Sequence, residues 1–413
     1  MPRTRRNARA ATRSRSRSAS DGVRSGLEAL AARRFAPLRG LRVGLVCNPT
    51  AVTRALSHAA DLLAAAPGVE LAALFGPEHG VRGDAQYMAA VGGEPRDART
   101  GVVVYSLYGE TAASLQPAPA ALAGLDALVF DIQDVGARYY TYQATMMLCM
   151  EAAARAGIGF VVLDRPNPIG GAVEGPRLRA GFESFCGLHD LAVRHGLTVG
   201  ELAQLFRAER GLDLALSVVP CEGWRRGVLF RETGLPWVFP SPNMPTPETA
   251  LVYPGMCLLE GTNLSEGRGT TRPFELLGAP WLDPHRLAAD LARERLPGVG
   301  FRPVSFVPTW DKHAGVRCHG VELFVGDPAR FRPFRAALAC VLHARAQAPS
   351  RFRWRTEPYE CVKDVPAFDL RCGSARERTG LEAGATLREL CQPLSVEERA
   401  FERRRREHLI YES

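Results

Sequence analysis

Lysine is nearly missing from this chain: Lys312 and Lys363 stand against fifty arginines, a bias of GC-rich coding rather than of chemistry. Long apolar runs are missing too. No stretch approaches the roughly 18 apolar residues that a membrane-spanning helix needs, so no span is expected. Thr4-Arg5-Arg6-Asn7 has a twin-arginine look, but residues 8–40 contain no apolar core, so no signal peptide is expected and the location reads as cytoplasmic, or extracytoplasmic if the true start lies elsewhere. The ten cysteines form no C-x-x-C pair and read as buried thiols of a reducing compartment. With no His-Glu-x-x-His and no cysteine pair near His313 or His319, neither zinc nor another metal is expected. The first strand ends in Cys47-Asn48-Pro49-Thr50 instead of a G-x-G-x-x-G, and no G-x-x-x-x-G-K-[ST] occurs, which disfavours a nicotinamide enzyme and a P-loop NTPase. A G-x-S-x-G elbow is also absent, which weakens an α/β-hydrolase reading. No cofactor is expected.

The charge is uneven. Of a net +8 over 413 residues, residues 1–20 supply seven arginines and no acid, leaving about +1 for the rest. A nearly neutral body argues against a specific nucleic-acid-binding fold. The Arg/Ser segment, taken as residues 1–22, cannot pack a core and is expected to be disordered.

From residue 38 onward short apolar runs alternate with helical patterns. Strands are expected at 41–47, 69–75, 102–105, 125–130 and 160–163, with helices at 55–66 and 141–156. Strands this short and continuously apolar argue a parallel sheet covered on both faces, an α/β, Rossmann-like N-terminal domain over 38–245. Six prolines between residues 234 and 254 mark a boundary. Beyond it, 246–413 reads as a smaller α+β C-terminal domain, with helices starting at Asp283-Pro284, at Thr386 and at Ser395, and a strand over 320–325. The run Arg403 to Arg406 reads as a solvated helix face.

Polar residues gather after the strands. In an open parallel sheet those carboxyl ends share one edge, where ligands bind. Asn48, Glu78, Asp131 and Asp164 are therefore expected to line one crevice, although each alone could equally cap a following helix. The densest group is Gly76-Pro77-Glu78-His79-Gly80-Val81-Arg82-Gly83-Asp84: a carboxylate, an imidazole, a guanidinium and a second carboxylate in a glycine-rich loop. Further carboxylates, Asp134, Glu174, Glu260 and Glu266, sit in Gly/Pro-rich contexts. Tyrosines follow in Gly136-Ala137-Arg138-Tyr139-Tyr140-Thr141-Tyr142. Carboxylates beside aromatic rings suit glycoside cleavage, in which one acid protonates the leaving oxygen while rings stack on the sugar. Core packing explains Tyr139 and Tyr140 as well as sugar contact does.

These motifs together resemble the NamZ-type exo-β-N-acetylmuramidases, long known as a domain of unknown function. The similar segments are 44–50, 75–83, 131–142, 164–171, 241–246 and 259–275, in order from about residue 40 to the C-terminus. The resemblance implies a cleft between the two domains and removal of N-acetylmuramic acid from the non-reducing end of peptidoglycan fragments. It matches Glu78 to the family's proposed catalytic glutamate. On this footing Glu78 is expected to act as general acid and then base, His79 to orient it or hold its proton, and burial or a nearby carboxylate such as Asp131 to raise its pKa. Arg82, Arg138 and Arg268 are the candidate partners of the muramate lactyl carboxylate, or arginines that tie loops through backbone carbonyls. Asn48, Asn167, Asn243 and Asn263 are expected to bond sugar hydroxyls or cap helices. Asp134, Glu266 and Thr270 complete the expected binding set, with the 267–270 turn closing the cleft from the far side. Two other classes stay open: a sugar-binding protein without catalysis, and a metal-dependent hydrolase using His79, Asp84 and Asp131.

Overall fold

A computed structural model describes residues 22–83, 96–109, 111–359 and 362–412. The Arg/Ser segment through residue 21 and the candidate Asp84 lie outside these residues. The first half contains β1 (Arg42–Cys47), β2 (Glu70–Gly76), β3 (Val103–Ser106), β4 (Ala127–Asp131) and β5 (Gly159–Leu163). A two-stranded excursion of β6 (Glu174–Arg177) and β7 (Ala192–Arg194) follows, and then β8 (Leu216–Val219). Six of these form one parallel sheet in the order β3-β2-β1-β4-β5-β8. The chain winds outward from β1 in one direction and then from β4 in the other, so the switch point falls between β1 and β4.

The sheet is buried on both faces. In β1, Val43, Leu45 and Cys47 enter one apolar core while Val46 enters the other; in β4, Val129 and Phe130 divide the same way. Helices Gly26–Ala32 and Ala59–Ala64 cover the first face, and Tyr142–Ala156 and Val199–Glu209 cover the second. The helix at Gly26–Ala32 falls short of the expected domain start at residue 38. Its signal is a capping box: the Ser25 hydroxyl accepts from the Glu28 amide, and the Glu28 carboxylate accepts from the Ser25 amide.

The second half adds β9 (Leu276–Ala279), β10 (Val299–Phe306) and β11 (Cys318–Val325), antiparallel in the order β10-β11-β9. Helices Pro284–Arg293 and Pro333–Gln347 pack beside them. The first is opened by Asp283, whose carboxylate accepts from two backbone amides, with proline at the first helical position. Helix Pro247–Met256 presses on Pro333–Gln347 so closely that a side chain at Gly255 would lie 1.9 Å from the Pro333 carbonyl oxygen. One apolar core is continuous across both halves, joining Phe130 and Phe160 to Met256, Phe334 and Leu338.

The C-terminal segment returns to the sheet. Arg405 is not on a solvated helix face: it is buried, and its guanidinium donates to the carbonyls of Gly171, His195 and Gly196. The last expected helix start also shifts, with the helix running Leu394–Arg404 and Ser395 already inside it. The nine described cysteines form no disulfide, and no helix among the described residues is long and apolar enough to cross a membrane.

Glu174, fully buried at the start of β6, accepts from the Arg335 amide at 3.1 Å. Burial pushes its carboxyl from an ordinary 4.5 up to about 7, against the pull of that amide and of Arg194 and with a push from Glu398. Between those two values the folded chain keeps a proton that the unfolded chain has released, so this group's contribution to stability falls as pH rises. Glu174→Gln is expected to exceed the wild type in stability by about 2–4 kcal/mol above neutrality. The advantage should disappear below the ordinary 4.5. Urea midpoints of both proteins across that pH range measure the difference.

Candidate active site

Glu78 and His79 follow β2 directly, at the carboxyl edge of the sheet and next to the switch strand β1. The loop turns sharply. His79 takes φ 72°, followed by Gly80 at 75°. For a non-glycine residue this left-handed geometry costs about 1–3 kcal/mol and clusters where function requires it. His79 is buried, and Glu78 is half-buried at the wall of a cleft holding about 500 Å³ of empty space, part of it open to solvent. The start of helix Tyr142–Ala156 holds the loop from behind: the Thr141 hydroxyl donates to Glu78 Oε2 at 3.3 Å, and the Tyr142 hydroxyl lies between the carbonyls of Glu78 and Pro240.

The opposite wall comes from the second half. Glu260, in the 3-10 turn Cys257–Gly261, receives Arg268 on Oε1 at 2.6 Å, and Arg371 and the Tyr359 hydroxyl on Oε2. Arg371 also donates to the Cys257 carbonyl at 2.9 Å. Behind this pair, Glu266 faces Lys312 at 2.7 Å and Arg268 at 3.3 Å. Burial pushes the Glu266 carboxyl up, but Lys312 and Arg268 outweigh it and hold the group below its ordinary range. Tyr139, Tyr140, Tyr253 and Phe274 form the floor, with Asn243 and Met244 beside them.

The comparisons with known proteins agree. Residues 43–248 match the family profile described as exo-beta-N-acetylmuramidase NamZ, N-terminal, and residues 251–411 match its C-terminal counterpart. A Bacillus subtilis protein named peptidoglycan beta-N-acetylmuramidase NamZ is 45% identical over 390 residues, 94% of this chain and 91% of its own length. The chain belongs to the NamZ family. It is accordingly a glycoside hydrolase. Two crystal structures of DUF1343 family proteins from Bacteroides fragilis share the fold. One has a TM-score of 0.85 at 35% identity, covering 95% of this chain and all of that one. The other has a TM-score of 0.74 at 27% identity, covering 95% and 99%.

Against this NamZ framework the expected site residues divide. Glu78, His79, Tyr139, Tyr140, Asn243 and Arg268 line the cleft. Asp131 does not: it is fully buried in a two-point ion pair with Arg165, which draws it to the other side of the β4 end. Asp164 is likewise consumed, by the Thr198 and Tyr411 hydroxyls and the amides of Arg165 and Gly200. Asn48 Oδ1 accepts from the amide and hydroxyl of Thr50 and so shapes its own turn. Asp134 caps Gly136 at 2.6 Å and faces His195. The crevice expected from four strand-end residues therefore reduces to Glu78.

The arginines separate too. Arg82 spans Asp61 and Asp97 away from the cleft. Arg138 is fully buried and donates to the carbonyls of Pro176, Leu191 and Arg371, the loop-tying alternative. Asn167 joins the Ile169 amide to the Leu197 carbonyl, and Asn263 joins Arg351 to Arg353. Thr270 closes its own turn onto Gly267, and Glu266 stands one layer behind the wall. The reading of the sequence missed Tyr359 and Arg371. No spacing joins them to Glu260; the one available signal was a charged residue, with Asp369 two places before it, in the otherwise apolar helix Ala367–Cys372.

Arg371 is 2% exposed and shares Glu260 with Arg268. Removing one partner from such a buried group costs about 3–5 kcal/mol. Arg371→Met should lose that much in a denaturant melt, whereas Arg42→Ala, which breaks the exposed Arg42–Glu70 pair, should lose about 1 kcal/mol or less.

Proposed function

We propose that this chain acts from the non-reducing end of peptidoglycan fragments and releases N-acetylmuramic acid, with Glu78 as general acid and then general base. The observation that carries the reading is the position of Glu78: a half-buried carboxylate on a strained loop, at the wall of an aromatic-floored cleft. The name of the Bacillus subtilis relative supports the substrate class.

Glu260, the other carboxylate among the described lining residues, gives both oxygens to guanidiniums and has none left to protonate a leaving oxygen. Glu78 meets its proton-transfer task on a loop whose neighbour His79 is fixed by burial and by its backbone, so His79 serves as the positioning group. Asp131, tied to Arg165, takes no part at the reacting carbon. Of the three candidate arginines, Arg268 faces the cleft and is the reader of the lactyl carboxylate, a task that suits a planar, permanently charged group.

The first test is release from a chromogenic β-N-acetylmuramide and the matching N-acetylglucosaminide, with and without chelator. Muramide-selective, chelator-resistant release is expected, falling about 10²–10⁴-fold in Glu78→Gln. If the mutant keeps most of its turnover, Glu78 is not the acid. If folded wild type releases neither chromophore, the chain is a sugar binder or takes another substrate.

Arg268→Lys keeps a charge beside Glu260 and loses the planar fork. It should lower muramide turnover about tenfold or more while sparing the glucosaminide. Equal losses on both would make Arg268 a structural residue.

A further inference from the structure

The floor of the cleft has an apolar end. Tyr140 stands edge-on to Tyr142 and to Tyr253, with ring centres 5.1 and 5.5 Å away, and Tyr253 stands edge-on to Phe274 at 4.9 Å. Met244 lies against the same space. Two polar groups lining it have no partner among the described residues: the Tyr140 hydroxyl and the Asn243 side-chain nitrogen. Both residues are only 7% exposed. A buried polar group left unpaired costs about 1–3 kcal/mol. Two lining one cleft point to a ligand that supplies the missing partner.

The chemistry of that partner follows from the donors. An amide nitrogen only donates. The Tyr140 phenol is kept protonated: burial, with Tyr142, Asp134 and Glu78 nearby, pushes it well above its ordinary range. Two neutral donors call for a neutral acceptor, and the surrounding rings call for a small apolar group attached to it. A sugar hydroxyl provides no methyl for the rings. A carboxylate is better served by Arg268, which also lines the cleft. A carbonyl oxygen bearing a methyl satisfies both demands.

We infer that Tyr140 and Asn243 form the pocket for the 2-acetamido group of the sugar, holding its carbonyl oxygen while the aromatic floor takes its methyl. This inference rests on the glycosidase reading above and names what the same cleft selects. The pocket makes acetylation at C2 a requirement for tight binding, separately from the lactyl group read at Arg268.

The test is direct binding by calorimetry of N-acetylmuramic acid and of 3-O-lactylglucose, which has a hydroxyl in place of the acetamido group. Wild type should favour the acetylated sugar by about tenfold or more. Tyr140→Phe keeps the ring and removes only the hydroxyl, and Asn243→Ala removes the amide. Each should lower the preference several-fold, with affinity for 3-O-lactylglucose unchanged. A purely structural role would weaken both sugars alike, and that result, or a preference that survives both substitutions, overturns the inference while leaving the glycosidase reading intact. If wild type binds neither sugar, the two fall together.

Discussion

Everything on the far side of the cleft depends on how Glu260 is held. A buried carboxylate is tolerable only when its lone pairs are met by well-placed donors, and here they come from three separate places: Arg268 in the glycine turn, Tyr359 in the segment after helix Pro333–Gln347, and Arg371 in helix Ala367–Cys372. These segments lie far apart in sequence and must be brought to one point. A charged centre does it by geometry, since a guanidinium must approach a carboxylate in plane. Such a cluster is weak evidence of net stability, because desolvation opposes it. What it secures is register. Arg138 extends the arrangement by donating to the Arg371 carbonyl, so the tyrosine segment of the first half and the arginine wall of the second are fixed to one another.

The sheet contributes the other wall under a different constraint. A parallel sheet buried on both faces must end its strands somewhere, and the polar residues there have backbone groups to satisfy before any ligand arrives. Asn48 and Asp164 meet that demand, and Asp131 is taken by the Arg165 guanidinium. Glu78 escapes it because β2 lies one strand away from the switch point and its loop turns back at once, with the Tyr142 hydroxyl beside the Glu78 carbonyl. The strain at His79 keeps the carboxylate in the cleft instead of capping a helix.

This difference explains how much of the molecule could be read from its sequence. The parallel sheet was legible, because β1, β2, β4 and β5 are continuously apolar and each is followed by a turn signal; so were the helices opened by Asp283 and Thr386, whose caps are local. Glu78 and His79 were legible because a charged, glycine-rich loop has few structural uses. Asp131 was misread for a physical reason: a strand-end aspartate looks the same whether it faces a ligand or an arginine 34 residues on. Arg138 carried a similar ambiguity, and burial resolved it toward backbone carbonyls. Arg371 could not be found, since its function depends on Glu260, 111 residues earlier. Long-range ion pairs leave no periodicity behind.

The division of labour between the halves follows from the same physics. On the proposed reading, one half supplies the proton donor and the other the anion reader. Placing both on one short loop would let them neutralise each other. Here Glu78 stands on the sheet edge and Arg268 on the opposite wall, where Glu260 and Glu266 hold it. The aromatic floor between them carries no charge of its own, because burial keeps its phenols protonated. The separation of acid and arginine is thus maintained by a neutral layer, and that layer exists only because the apolar core of the sheet continues into the second half.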